Sequence, residues 1–81
     1  MKIEVNKEAR KQRVDEMVEA ILNQAKKTAE NGLEYFTFYF SSNERYLARN
    51  ACTEAEVRSE NSITVIEKGF GEDSAEFRIK Y

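Results

Sequence analysis

The stretch Leu33-Glu34-Tyr35-Phe36-Thr37-Phe38-Tyr39-Phe40-Ser41 is the most apolar run in the chain, and it decides the fold. Its aromatic and β-branched residues favour a pleated, packed surface. Because side chains alternate between the two faces of a strand, one face carries Phe36, Phe38 and Phe40, and the other carries Tyr35, Thr37 and Tyr39. The pattern predicts a strand whose Phe face is buried. Apolar groups on both faces favour a central place in the sheet over an edge.

A long helix is predicted before this strand, from about Lys7 to Asn31. Asn6 is a suitable N-cap, and Gly32 suits the position that follows a helix end. Apolar residues recur at helical spacing, and they are Val14, Met17, Val18, Ile21, Ala25 and Ala29. One side of the helix should therefore pack against the sheet.

The first two turns of this helix are basic and precede its apolar stripe. A helix of about 25 residues is roughly 37 Å long, whereas a compact domain of this size is only about 30 Å across. The basic turns should therefore extend past the core. Arg10, Lys11 and Arg13 are then either a solvated helix end or a docking arm for an acidic partner or a dimer.

A second helix is predicted after the apolar stretch. Ser41 and Glu44 match the S-x-x-E capping box, and the helix should run to about Arg58, which can pair with Glu54 one turn earlier. Its apolar stripe is mostly small residues, which lets a helix lie close to a sheet: Leu47, Ala48, Ala51, Cys52 and Ala55.

A β-hairpin is predicted at the end of the sequence. A turn at 59–62 leads into a strand at 63–66, a glycine-containing loop at 69–73 and a strand at 75–81. The last strand alternates cleanly between the inward residues Ala75, Phe77, Ile79 and Tyr81 and the outward residues Glu76, Arg78 and Lys80. One face of the hairpin should therefore be exposed to solvent.

The predicted fold class is α+β. Residues 2–5 also alternate and are a candidate first strand, so the element order is (β)αβαββ. We expect one domain spanning residues 1–81, with two helices packed on one face of a three- or four-stranded mixed sheet. The mixed sheet follows because a strand–helix–strand crossover is normally parallel.

The composition is that of a soluble globular protein, with 41% hydrophobic and 35% charged residues. The 13 basic and 15 acidic residues give a net charge of -2, which lacks the bulk signature of a nucleic-acid binder. No apolar run approaches the roughly 20 residues of a membrane helix, and the N-terminal residues lack the apolar core of a signal peptide. A single cysteine, Cys52, suits a reducing compartment, so a cytoplasmic location is expected.

No residue pattern predicts catalysis, a metal or a cofactor. The chain has no histidine, one cysteine, and three glycines outside any phosphate-binding pattern. Cys52 falls on the small-residue stripe, which favours buried packing over a reactive thiol. The expected activity is therefore binding, without enzymatic chemistry.

The sheet face opposite the Phe residues is the main candidate for protein binding. Tyr and Arg are enriched at interface hot spots, and this face should carry Tyr35, Tyr39, Ile66 and Arg78. Ile66 is out of phase with Ile63 and Val65, so we expect it to be an exposed apolar residue. The alternative is that the protein's own chain covers these residues. Self-association is a further open alternative.

Nucleic-acid binding is the alternative function. Sheet aromatics beside Arg78 and Lys80 could stack on single strands, and Arg45 and Arg49 could contact phosphates. The element order is similar to that of Alba-like chromatin proteins and of the C-terminal domain of the third bacterial translation initiation factor. Those families are far more basic, and topology does not carry function.

The overall pattern also resembles small phage-encoded αβαββ proteins. A helix ending in Asn31-Gly32 is followed by the buried Phe36–Phe40 strand, a second helix, and a hairpin that begins at Ile63. The chain departs from that pattern at Ser59-Glu60-Asn61, where a Gly-aromatic turn is expected. The resemblance implies an accessory or host-modulating protein that acts by binding. Phage anti-defence inhibitors share this size and mild acidity.

Overall fold

The computed structural model describes residues 1–66 and 73–80. Two helices, α1 (Lys7–Glu30) and α2 (Arg45–Arg58), and three strands, β1 (Tyr35–Tyr39), β2 (Ile63–Val65) and β3 (Ser74–Ile79), follow one another in the order α1, β1, α2, β2, β3. A short 3-10 turn at Ser42–Glu44 precedes α2. The α+β class and both predicted helices are confirmed. The predicted loop glycines and Tyr81 lie outside the described residues.

The sheet is antiparallel, with the strand order β1-β3-β2. The expected mixed sheet is therefore wrong for the described strands. β1 and β2 run in the same direction, as a crossover requires, but β3 lies between them and pairs with both. β1 is thus an edge strand, against the expectation that it would be central. Residues 2–5 are not a strand, and Ile3 and Val5 are exposed.

One hydrophobic core lies between the sheet and the two helices. The strands contribute Phe36, Phe40, Ile63, Ala75 and Phe77, and the helices contribute Met17, Val18, Ile21, Ala25, Ala48, Ala51, Cys52 and Ala55. The rings of Phe36 and Phe77, which face each other across β1 and β3, are stacked with centroids 4.9 Å apart. Both helices therefore cover the Phe side of the sheet, as predicted.

The ends of α1 follow the predicted capping residues. The Asn6 side chain accepts a hydrogen bond from the backbone N–H of Ala9 at 3.0 Å. Gly32 follows the helix at a φ of 76°, a conformation that favours glycine. The apolar stripe shifts near the helix end, because Ala29 is exposed and Thr28 is buried in its place. The Thr28 hydroxyl donates to the carbonyl of Gln24 at 2.8 Å, which satisfies it.

The predicted capping box at the start of α2 is wrong. Neither Ser41 nor Glu44 makes a side-chain cap to the backbone, although the Glu44 N–H donates to the Ser41 carbonyl at 2.8 Å. The Glu44 carboxylate turns instead to Arg13 on α1. A charged partner gives a carboxylate a stronger hydrogen bond than a neutral backbone N–H does.

A helix side chain reaches each outer edge of the sheet. The register places the backbone groups of Thr37 on the side of β1 that faces away from β3. The side-chain amide of Gln24 donates to the Thr37 carbonyl at 3.0 Å. On the opposite edge, the N–H of Val65 donates to the Glu56 carboxylate at 3.4 Å. Unpaired edges invite pairing with other chains, and α1 and α2 each engage one of these groups.

Candidate functional site

The outer face of the sheet, opposite the helices, carries two exposed tyrosines. Tyr35 and Tyr39 alternate with the core residues of β1, and they are 52% and 75% exposed. No helix or loop among residues 1–66 and 73–80 covers them. The alternative that the protein's own chain buries these rings is therefore wrong for the part of the chain that the structure describes.

Arg78 contacts one of these tyrosines. Strand pairing sets Arg78 opposite Tyr35 on β1 and opposite Thr64 on β2. The guanidinium carbon lies 5.0 Å from the centre of the Tyr35 ring. This distance suits a cation–π contact, which holds both side chains while leaving much of the ring exposed. The predicted juxtaposition of Tyr35 and Arg78 is thus present.

Ile66 is less exposed than its position in the sequence indicates. The residue is half-buried, and its backbone N–H donates to the Glu76 carbonyl at 2.7 Å, so it continues the pairing of β2 with β3. Alternation from Val65 places it on the outer face. It therefore adds a smaller apolar contribution to this face than the two tyrosines do. We call Tyr35, Tyr39, Ile66 and Arg78 the outer-face patch.

The basic turns of α1 extend past the core, as predicted. Residues 7–13 are all exposed, and the molecule measures 53 Å along its longest axis. The three basic residues predicted to act together are nevertheless divided. Arg10 and Lys11 face a cleft, whereas Arg13 pairs with carboxylates of the protein itself.

Arg13 already has carboxylate partners within the protein. Its Nη2 donates to Glu44 Oε1 at 3.0 Å, its Nε donates to Glu44 Oε2, and its Nη1 lies 3.5 Å from Glu16 Oε1. The hydrogen bond from Arg13 lowers the pKa of Glu44, and the same bond raises the pKa of Arg13. A partner that bound Arg13 would have to compete with these carboxylates, so Arg13 is less available to a partner than Arg10 or Lys11.

A cleft of about 600 Å³ lies between the basic turns of α1 and the exposed side of α2. Its walls include Lys7, Arg10 and Lys11 from α1 and Asn50 and Thr53 from α2. The sequence predicts Arg10 and Lys11 as residues that could dock an acidic partner, but it does not predict the α2 wall of this cleft. Asn50, Thr53 and Glu54 recur at i, i+3 and i+4, which predicts a shared helix face. No signal in a single sequence shows which part of α1 lies beside that face.

An ion-pair cluster lies at one end of the same cleft. Arg58 Nη2 is 3.2 Å from Asp15 Oδ1, and Arg58 Nε is 3.4 Å from Glu54 Oε2. The predicted pairing of Glu54 with Arg58 is therefore confirmed. The link to Asp15 also joins the end of α2 to α1.

The residues of the nucleic-acid alternative lie on different surfaces. Arg49 is exposed and Arg45 is half-buried, and both belong to α2, which packs on the inner side of the sheet. Lys80 is exposed just beyond β3, in phase with the outward residues of that strand. The two arginines and the sheet tyrosines therefore do not form one continuous binding face.

Cys52 is a packing residue. Its side chain is 1% exposed, and burial, followed by the nearby charge of Glu56, raises the pKa of its thiol to about 12. Within residues 1–66 and 73–80, no group of three or more Cys, Asp or Glu side chains is placed to hold a metal ion. In the same residues, no helix has the length and apolar character needed to cross a membrane.

The described residues thus present an exposed aromatic surface on the sheet, the outer-face patch, and a basic cleft between the helices. The chain matches no protein-family model, no curated protein and no solved structure.

Proposed function

We propose that the protein acts without catalysis, by binding another protein through the outer-face patch. The observation that carries this proposal is the exposure of Tyr35 and Tyr39 on a sheet face that no described element covers. Large, rigid tyrosine rings provide contact area at a small cost in side-chain entropy. Tyrosine and arginine also dominate interface hot spots.

Part of the patch is positioned by the fold itself. The contact with Arg78 restricts the Tyr35 ring, and the paired strands fix the spacing between Tyr35 and Tyr39. Order in the free state reduces the entropy that association costs.

Strand pairing sets the exposed Glu76 opposite Thr37 and beside Ile66, so one carboxylate lies within the patch, and the exposed Lys80 lies at its border just beyond β3. A partner would therefore have to complement the Glu76 charge as well as the tyrosine rings.

The resemblance to small phage-encoded αβαββ proteins extends the proposal to an accessory or host-modulating role. A protein of this size can inhibit a larger one by covering a functional surface, and the outer-face patch would supply that contact. A cytoplasmic location belongs to this proposal, because the single cysteine suits a reducing compartment.

Two matched tyrosine variants test the proposal. Tyr39 and Tyr46 are 75% and 73% exposed, but Tyr46 belongs to α2. Tyr39→Ala and Tyr46→Ala should therefore both fold like the parent protein, as judged by circular dichroism and thermal melting. In affinity purification from cells, a specific partner should be retained by the parent and by Tyr46→Ala and lost with Tyr39→Ala.

Three results would contradict the proposal. Unfolding of Tyr39→Ala would show that the ring is needed for the fold. Equal loss of the partner with both variants would place the contact elsewhere, and so would unchanged retention by Tyr39→Ala. Light scattering of the purified protein identifies the case in which the partner is a second copy, because the dimer would then dissociate with Tyr39→Ala and persist with Tyr46→Ala.

A further inference from the structure

The cleft between the basic turns of α1 and the exposed side of α2 has the properties of a binding site. It is an open, shallow cleft between two helices with a volume of about 600 Å³, which suits a few side chains of a peptide. We propose that this cleft binds an acidic peptide segment of a protein partner. The cleft lies in the helical layer, so the proposal is independent of the outer-face patch.

The cations of the cleft lack partners of their own. Among residues 1–66 and 73–80, no carboxylate lies within ion-pair distance of Lys7, Arg10 or Lys11. By contrast, Arg13 outside the cleft and Arg58 at its opposite end each pair with two carboxylates. Three neighbouring positive charges repel one another, and an anion between them relieves that repulsion.

The opposite end of the cleft argues for a peptide over a nucleic acid. Asp15 and Glu54 flank Arg58 there, so this end carries one more negative than positive charge. A uniformly anionic backbone that ran along the whole cleft would meet those carboxylates. A peptide can place its acidic side chains at the basic end and neutral or basic residues at the other.

The side chains in the middle of the cleft suit peptide groups. Asn50 offers both a donor and an acceptor, as a peptide backbone requires. The Thr53 hydroxyl donates to the Arg49 carbonyl at 3.2 Å and can still accept a hydrogen bond. Val14 is half-buried in the floor and provides an apolar contact.

Fluorescence anisotropy tests this proposal with a labelled, C-terminally amidated hexapeptide, Glu-Glu-Glu-Gly-Ser-Gly, which can place acidic side chains at the basic end of the cleft and neutral residues at the other. The test variant is Arg10→Gln/Lys11→Gln, and the matched control is Lys26→Gln/Lys27→Gln, which removes the same charge from exposed positions near the other end of α1. We expect the parent protein to bind the peptide, with binding that weakens as salt is added. The test variant should bind about tenfold more weakly, as expected for the loss of two ion pairs, and the control should bind like the parent.

Two further measurements show whether the peptide occupies this cleft. Tyr39→Ala should bind the peptide like the parent, because Tyr39 lies on the outer face of the sheet. In nuclear magnetic resonance titrations, the amide signals of Asn50 and Thr53 should shift on addition of the peptide, since their side chains line the cleft.

Several outcomes would overturn the proposal. These are the absence of binding at low salt, an equal loss in the test and control variants, and amide shifts that leave Asn50 and Thr53 unaffected. Tighter binding of a labelled hexathymidylate, with the same dependence on Arg10 and Lys11, would also overturn it, because the cleft would then prefer a nucleic acid. A loss with Tyr39→Ala would assign the peptide to the outer-face patch.

Discussion

Arg13 and Glu44 are 31 residues apart in sequence, yet the Arg13 guanidinium donates a hydrogen bond to each oxygen of the Glu44 carboxylate. The pair joins α1 to the residue that directly precedes α2. Bidentate pairs of this kind are more directional than single-point contacts. The pair therefore links α1 to the connection between β1 and α2 at the surface, in addition to the packing of both helices in the core.

Breaking this pair should cost stability only above acidic pH. We expect Glu44→Gln to lower the free energy of unfolding by about 0.5–1 kcal/mol at neutral pH, because the Arg13 side chain is 45% exposed and water screens the pair. The pKa of Glu44 is lowered in the folded protein, so the stabilisation is present above the ordinary pKa of glutamate. It disappears as the pH falls through the lowered pKa.

Urea unfolding of the parent and of Glu44→Gln across this pH range measures the effect. Glu19→Gln, an exposed carboxylate on the same helix, is the matched control and should change stability little. A double-mutant cycle with Arg13→Gln should give a coupling energy of the same size at neutral pH. A loss of stability that persists at low pH would indicate packing rather than the ion pair.

Removing the side chain that caps the β1 edge should both destabilise the protein and promote association. Gln24→Met keeps the length of the side chain and removes its donor to Thr37. We expect a loss of about 1 kcal/mol and a larger sedimentation coefficient at high concentration, since the edge is opened. Gln12→Met, on an exposed part of α1, should have neither effect. Unchanged sedimentation of Gln24→Met would show that the edge needs no cap.

The Cys52 thiol should be inert in the folded protein. It is 1% exposed and has a pKa of about 12, so a thiol reagent at about pH 8 should react only when the protein opens. Labelling should therefore be slow in buffer and fast in guanidinium chloride. Cys52→Ala/Ala20→Cys places a thiol on an exposed part of α1 and should react rapidly in both conditions. Rapid labelling of the native parent protein would contradict this buried environment.

Oligonucleotides should bind poorly, in spite of the aromatic residues on the sheet. The net charge is -2, Glu76 interrupts the basic residues along β3, and Arg49 lies in the helical layer. We expect no anisotropy change with labelled single- or double-stranded oligonucleotides at low or physiological salt. Binding that weakens steeply with added salt would instead indicate several phosphate contacts. It would favour the nucleic-acid alternative.

Local patterns in the sequence predict the elements well, because their causes are local. Asn6 and Gly32 mark the ends of α1 through bonds and backbone angles within a few residues. The alternation in β1 identifies the side that is buried. It does not identify the neighbouring strand, and for that reason the expectation of a central β1 is wrong. The capping box does not form because Arg13 binds the Glu44 carboxylate. A local sequence pattern does not reveal this competition, since Arg13 is 31 residues away in the chain.

The candidate surfaces likewise have features that local sequence patterns predict and features that depend on tertiary packing. The sequence predicts a shared face for Tyr35 and Arg78 because period-two alternation assigns faces within each strand, and their pairing confirms it. The difference between Arg13, which is paired, and Lys11, which lines a cleft, depends on how α2 crosses α1. That crossing is a tertiary property, and residue spacing along α1 does not encode it.

The central position of β3 also affects how the protein is made. A ribosome releases β1 and β2 first, and both of the described strand pairings require β3. The nascent chain can therefore form its two helices early, but Phe36 can stack on Phe77 only after β3 has been synthesised. Until residues 74–79 leave the exit tunnel, the apolar faces of β1 and β2 remain without their sheet. Translation that stops before Ser74 would yield a product suited to chaperone binding and proteolysis.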